Sequence, residues 1–523
     1  MRKAIGCGWV WCALAALAQP SAVTFRSSVD NSEQLYALYL PKGMDHARKY
    51  PLVIGLHEED SNHAMQLRHL FGVIGRFGET GLQALTAFPP MRDENVIVAC
   101  PLARGTMGYQ GIAEHDVYDV MTEVKRRYPI DEDRVYLTGS SMGGGGALWL
   151  ALTRPDIWAG VAMVCPATVP GTEDLAGNAY NFPVRLYHGE LDPAVPAEST
   201  RQWQRRLLEA GVTADYTEFP GVRHNAWDTA YRNGAIFEWF TRYKRDPDPN
   251  HVHFSTRLAE YRTAYWVRID AWAPGDLATV DAVRSPTGIR VQTKNVDAFT
   301  LSTAAKAVTI DDVVVRLRPV STLSFVKAGG KWSQVPAATA ALPFGPIVEA
   351  VNGRHMYVYG AGDEVSKRYA ETAAAWSNAQ VHLNLKLPVK ADDQVSAEDL
   401  ASYDLVLFGN QHTNRLIARF AGQLPMALNP GAADYGLVFL AEIGGHHVLV
   451  NSGLPWWTGA EDVNRGAVSR FAPAQYRLLS TFGDYILFKG SLANVLAEGR
   501  YDRSGKPPQF ESGGTVTLGG PHN

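Results

Sequence analysis

Arg134-Val135-Tyr136-Leu137-Thr138-Gly139-Ser140-Ser141-Met142-Gly143-Gly144-Gly145-Gly146-Ala147-Leu148 is the stretch on which the fold turns. Its first half is an apolar, β-prone run that reads as a buried strand. Its second half opens a helical stretch, Gly143 to Thr153. Between them, Gly139-Ser140-Ser141-Met142-Gly143 fits the pattern G-x-S-x-G. The strand–turn–helix setting is the one a nucleophile elbow requires. A serine in such a turn occupies strained backbone, and flanking glycines let neighbouring segments approach closely. Its oxygen stands at the carboxyl end of the sheet, over a helix N-terminus that favours negative charge. Ser140 is the rival, but only Ser141 has the required spacing.

Working outward, Pro51–His57, Asn95–Cys100, Gly160–Cys165 and Pro183–His188 read as further strands, with helical stretches such as His115–Tyr128 between them. Continuous Val/Ile/Leu runs fit parallel strands buried on both faces, and β-α alternation predicts a doubly wound sheet.

A serine hydroxyl needs a base to remove its proton. Two loops on the same sheet edge offer partners. Asp192 lies in His188-Gly189-Glu190-Leu191-Asp192-Pro193, just after a strand. His224 lies in Gly221-Val222-Arg223-His224-Asn225, after one more strand. The chain order Ser, Asp, His suits an α/β-hydrolase triad: Ser141 as nucleophile, His224 as base, and Asp192 fixing the imidazole tautomer.

The segment from Ile130 to Cys165, with Tyr187–Pro196 and Gly221–Trp227, resembles the prolyl-oligopeptidase-like and dienelactone-hydrolase-like esterases of the α/β-hydrolase fold. It is most similar to exported bacterial members that include feruloyl-esterase-like and polyhydroxybutyrate-depolymerase-like enzymes. The resemblance covers roughly residues 50–245 and implies a serine esterase without a cofactor, acting on feruloyl or acetyl esters of polysaccharides. In one place the chain departs from the family. Where His-Gly usually stands, this chain has His57-Glu58-Glu59-Asp60. An oxyanion hole needs backbone N–H groups, one after the nucleophile and one from this loop, so Met142 and Glu58 are the candidates. Three acids beside a developing oxyanion are unfavourable unless their side chains turn away. Glu58 is also a candidate contact for a cationic or hydroxylated substrate.

Other conspicuous residues carry plainer expectations. His57 reads as structural and His188 as a strand end. His446-His447 and His251-x-His253 lack the acid or cysteine spacing of a metal site, so no metal is expected. Trp456-Trp457 read as core or interface residues.

The 523 residues divide into several regions. Residues 1–22 read as a signal peptide: Arg2 and Lys3, then an uncharged apolar stretch Ala4–Ala18. Ala16-Leu17-Ala18 and Pro20-Ser21-Ala22 are the candidate cleavage sites. Residues 24–245 form the hydrolase unit, and Asp246-Pro247-Asp248-Pro249-Asn250 reads as a linker. Residues 250–340 form a small all-β module with a hairpin turn at Ala328-Gly329-Gly330-Lys331. Residues 342–500 form a smaller α/β domain, with Ser396 and Asp399 marking a helix start. Residues 501–523 read as a disordered tail. Cys7 and Cys12 fall in the signal. Cys100 and Cys165 end strands three steps apart, on the order of 14 Å at about 4.8 Å per step, so they are expected as free buried thiols.

Hydrophobic residues make up 46% and charged residues 20%, with a net charge of −4. This is globular composition with no call for nucleic acid, and no second segment is apolar enough to span a membrane. An exported, soluble enzyme acting on a small-molecule or polysaccharide ester is expected; the oligomeric state is left open. The same triad also cuts amides, so a serine peptidase is the alternative, although the stretch ahead of the first core strand cannot hold a peptidase propeller. A binding protein working through its C-terminal half is a third reading, and the complete triad opposes it.

Overall fold

The computed structural model describes residues 20–518, apart from 75–87, 89, 274, 319, 337–344, 379–383, 430, 464, 466–473, 503–504 and 510–514. Residues 1–19 of the segment read as a signal peptide and Leu342-Pro343-Phe344 thus lie outside the described residues. The first unit is an eight-stranded sheet of β1 (Ser21–Arg26), β2 (Glu33–Tyr39), β3 (Tyr50–Leu56), β4 (Ile97–Pro101), β5 (Ile130–Ser140), β6 (Gly160–Val164), β7 (Val184–Gly189) and β8 (Ala214–Phe219). Their order is β1-β2-β4-β3-β5-β6-β7-β8. β1 and β2 are antiparallel, and β4 through β8 run parallel. β3, β4 and β6 are buried along their whole length. That is why they read as unbroken apolar runs rather than alternating ones.

Helices cover both faces, as βαβ crossovers require: α1 (His63–Leu70), α2 (Ile112–Arg127), α3 (Met142–Thr153) and α4 (Ala197–Glu209). Two separate hydrophobic cores result. One centres on Leu52, Ile54, Leu137 and Trp158, the other on Val53, Val98, Tyr136 and Phe240. β3 and β5 lie between the strand holding Cys100 and the strand that Cys165 follows. Both cysteines are buried and free.

The second unit holds two five-stranded sheets that share one core, including Val252, Phe254, Ile269, Phe299 and Phe325. The hairpin at residues 328–331 is present, with Ala328 facing Lys331. The third unit is a seven-stranded mixed sheet. Four of its strands run parallel (Val389–Ala391, His355–Tyr359, Asp404–Phe408 and His446–Gly453), followed by three antiparallel ones. Ser396 and Asp399 form a reciprocal capping box at the helix Ala397–Ser402. No helix among the described residues is long and apolar enough to cross a membrane.

Two boundaries differ from the sequence reading. Ser21 and Ala22 pair with Leu38 and Ala37 inside β1, so the first sheet begins within the segment read as signal peptide. The segment read as a disordered tail is partly built in. Tyr501 is buried and donates a hydrogen bond to the Leu440 carbonyl, and Val516–Leu518 pairs with Met426–Leu428. Strand pairing across some 90 residues supplies backbone partners that local Gly/Pro/Ser composition does not reveal.

The first and second units meet around a buried carboxyl. Glu114 in α2 accepts hydrogen bonds on Oε2 from Trp149 Nε1 of α3 and from the Tyr261 hydroxyl of the second unit, each at 2.8 Å. Burial, and then the nearby Glu260 charge, raise the Glu114 carboxyl well above the ordinary glutamate value of 4.5. Its folded pKa exceeds its unfolded one, so folding favours the protonated form and stability falls as pH rises above the ordinary value. Glu114→Gln keeps the shape and one acceptor but cannot ionise. Urea unfolding at pH 5, 6, 7 and 8 should show the native protein losing ground to E114Q, by at most about 1.4 kcal/mol per pH unit. Parallel curves for the two proteins would contradict this account.

Candidate active site

The strand-to-helix turn between β5 and α3 places Ser141 at φ 51°, ψ −115°, a conformation that non-glycine residues rarely adopt. Two glycines permit it. A Cβ on Gly139 would lie 2.2 Å from the Gly143 carbonyl oxygen, and one on Gly143 would lie 2.2 Å from the Leu56 carbonyl oxygen. The start of α3 is therefore pressed against the end of β3. The turn is tied down by Ser141 N–H donating to the Val164 carbonyl at 2.8 Å, and by the Ser141 carbonyl accepting from Gly145 and Ala167 N–H at 3.0 Å each.

The structure brings the three expected residues together. His224 Nε2 is 2.9 Å from Ser141 Oγ, and His224 Nδ1 is 2.7 Å from Asp192 Oδ2. Asp192 is fully buried on its side chain, while His224 is 24% exposed and stands edge-on to Trp227. Burial alone would raise the Asp192 carboxyl. Hydrogen bonds from His224 and from the Val195 and Ala194 N–H groups outweigh it and hold the carboxyl below its ordinary range. The site therefore keeps a charged Asp192 beside Nδ1. This fixes that nitrogen as the donor and turns a lone pair on Nε2 toward the serine hydroxyl.

His188 does more than end a strand. Its Nε2 faces both the Val195 carbonyl at 2.9 Å and Asp192 Oδ2 at 3.1 Å, and its Nδ1 is 2.7 Å from Thr200 Oγ1. Burial lowers its pKa, which favours the neutral ring. Two acceptors at Nε2 place the single proton there, with Nδ1 accepting from Thr200. Asp192 is thus gripped from two sides. The four-residue spacing from His188 to Asp192, right after a strand, was the available signal.

The acidic loop divides its side chains. Glu58 turns inward, its Oε2 accepting from Ser140 Oγ at 3.2 Å and its Oε1 lying 3.8 Å from His69 Nδ1. Glu59 faces the other way and lines a cavity of about 400 Å³ together with Met142, Tyr109, Gln110, Thr168 and Val195. Of the acidic loop it is thus Glu59 that lines this cavity, where the sequence reading had named Glu58 as the candidate substrate contact. Asp60 is exposed. His57 is wholly buried, with its ring nitrogens 2.7 Å from the Glu58 carbonyl and 3.0 Å from the Leu102 carbonyl. It is structural, joining two loops. Met142 is the first residue of α3, so its N–H is one of those an α-helix leaves without an intrahelical acceptor.

Among the described residues, Cys165, His188 and Asp192 form a group whose ligand atoms lie within 4.8 Å of one another. Burial pushes the Cys165 thiol up to about 12, and His188 and Asp192 are already committed to each other. A protonated thiol and an occupied carboxylate are poor metal ligands. His251 and His253 both bond to Asp281, at 3.0 and 2.9 Å, and His447 lies between Asp404 and Glu349. Trp456 is buried against Phe408, as a core residue.

These geometries predict that Gly143→Ala displaces the β3–α3 contact. We expect destabilisation of several kcal/mol, or failure to fold, because the clash is with backbone and cannot be relieved by a side-chain rotation. Thermal unfolding of G143A beside Gly422→Ala, whose added Cβ would have no heavy atom within 4 Å, checks this. Equal losses would count against the argument.

Residues 27–234 match the family model named Esterase. Cutinase 2 of Thermobifida cellulosilytica is 26% identical over 160 residues, which cover 28% of this chain and 58% of that protein. Cutinase cut1 of Thermobifida fusca is also 26% identical over 160 residues, covering 48% of its length. The chain thus spans about half the length of these curated relatives. Among solved structures, a ferulic acid esterase from Anaeromyces mucronatus is 19% identical with a TM-score of 0.34, covering 43% of this chain and 92% of that one. Over residues 27–234, this chain carries an α/β-hydrolase unit that matches the esterase family.

Proposed function

We propose that this protein hydrolyses carboxylic esters through an acyl-enzyme on Ser141. The single observation that carries the reading is the continuous Ser141–His224–Asp192 chain, 2.9 and 2.7 Å, next to a cavity of about 400 Å³ that Met142, the residue after Ser141, helps to line. His224 takes the Ser141 proton as Oγ attacks the ester carbonyl. The tetrahedral oxyanion rests on the backbone N–H of Met142 and on a second N–H from the loop at Glu58, whose own carboxylate is turned to Ser140. His224 then gives its proton to the leaving alcohol. A water molecule repeats the cycle and releases the acid. No step needs a cofactor.

The substrates proposed are feruloyl or acetyl esters of polysaccharides, met outside the cytoplasm. Export rests on Arg2-Lys3 followed by the apolar stretch to Ala18. A cut after Ala18 leaves β1, which begins at Ser21, whole.

The test is hydrolysis of p-nitrophenyl acetate and methyl ferulate by the mature protein beside Ser141→Ala. We expect the variant to lose a factor of roughly 10³ or more in kcat on both esters. Turnover of dipeptidyl amides in place of esters would move the assignment to a peptidase. Equal rates for the two proteins would remove Ser141 from the chemistry.

A further inference from the structure

The cavity beside Ser141 does not end at the first unit. A second cavity, of about 180 Å³, shares Gln110 and Val169 with it. All three units wall this second space: Gln110 and Trp149 from the first, Leu258 from the second, and Asn352, Tyr476 and Arg477 from the third. The sequence signals absorbed by the triad do not explain this arrangement.

The walls are fixed by contacts away from the cavity. Trp149 is held by its bond to Glu114 and stands edge-on to Tyr261, ring centres 5.8 Å apart. Tyr476 stacks on Trp376 at 4.8 Å, and its hydroxyl donates to Asn352 Oδ1 at 3.4 Å. Gly111, at φ 57°, lets the third unit come close: a Cβ there would lie 2.7 Å from Asn352 Oδ1 and 2.8 Å from the Tyr476 hydroxyl. A separate clip joins the same two units, with the Lys386 N–H donating to Asp30 and the Asn384 side chain to the Glu33 carbonyl. Arg477 makes no ion pair with any of the described residues.

Aromatic rings beside side-chain amides suit a sugar, whose C–H faces pack on rings while its hydroxyls meet amides. An arginine without an acidic partner adds a planar fork of donors matched to a carboxylate. We propose that the three-unit cavity is a distal subsite for the saccharide that carries the ester, and that the saccharide it takes is a uronate whose carboxylate meets Arg477. This rests on the ester-hydrolase reading for its catalytic meaning. It also makes the third unit a wall of the substrate cleft rather than an appendage.

The experiment pairs turnover with binding, using acetylated cellobiouronic acid, acetylated cellobiose and p-nitrophenyl acetate on the native protein, Arg477→Met and Arg477→Lys. Native protein should show a KM for the acidic disaccharide at least tenfold below that for the neutral one. R477M should erase that preference and R477K should restore part of it. Calorimetry with free cellobiouronic acid should show binding that weakens at least tenfold in R477M. Equal KM values for the two disaccharides, or a preference that survives in R477M, would overturn the subsite. Cleavage of p-nitrophenyl acetate without any binding of cellobiouronic acid would also overturn it, leaving the hydrolase reading intact. Arg477-dependent binding with no ester cleaved would uphold the subsite and overturn the hydrolase reading.

Discussion

Everything at the site depends on how closely two backbones can approach. The end of β3 and the start of α3 touch through Gly143, and the turn closes on itself through Gly139. No side chain larger than hydrogen fits at either position. That contact forces Ser141 to positive φ, lifts its hydroxyl off the sheet, and aims the first N–H groups of α3 at the same space. His224 and Asp192 come from loops after β8 and β7, and they need only reach a point that the turn has already set. The strain at Ser141 is sustained by the parallel strands around it, which bond on both sides of β5.

The second constraint is the grip on Asp192. Two backbone N–H groups and two imidazoles converge on one carboxylate that sees no solvent. A buried charge is tolerable only when its acceptor sites are filled. Filling them also removes the freedom of the side chain to rotate, so the orientation of His224 is inherited from β7 and the start of α4.

The parts of this molecule that were legible in the sequence are those whose causes are local. The elbow could be read because strand, glycines and helix are contiguous. Asp192 and His224 could be read because each follows a strand of the same parallel sheet, and parallel strands put their carboxyl ends on one edge. The Ser396–Asp399 cap could be read because capping is a matter of three residues. The inward turn of Glu58 and the outward turn of Glu59 were not legible. Which of two adjacent glutamates faces the cavity depends on Ser140 and His69, which are remote in the chain. The strand at Val516–Leu518 was hidden because its partner, Met426–Leu428, is far away and its own surroundings look like coil. The cavity shared by three units was equally out of reach, because Gln110, Leu258 and Tyr476 become neighbours only when the units dock.

The two buried cysteines bear on where such a protein can survive. Burial pushes the Cys165 thiol up to about 12 and raises Cys100 further still. Burial thus disfavours the thiolate, the form that attacks disulfides and peroxides. An oxidising compartment therefore finds almost nothing to react with once the chain has folded. Cys165 keeps its sulfur beside the Asp192 carboxylate, and both thiols are covered once β4 and β6 have entered the sheet.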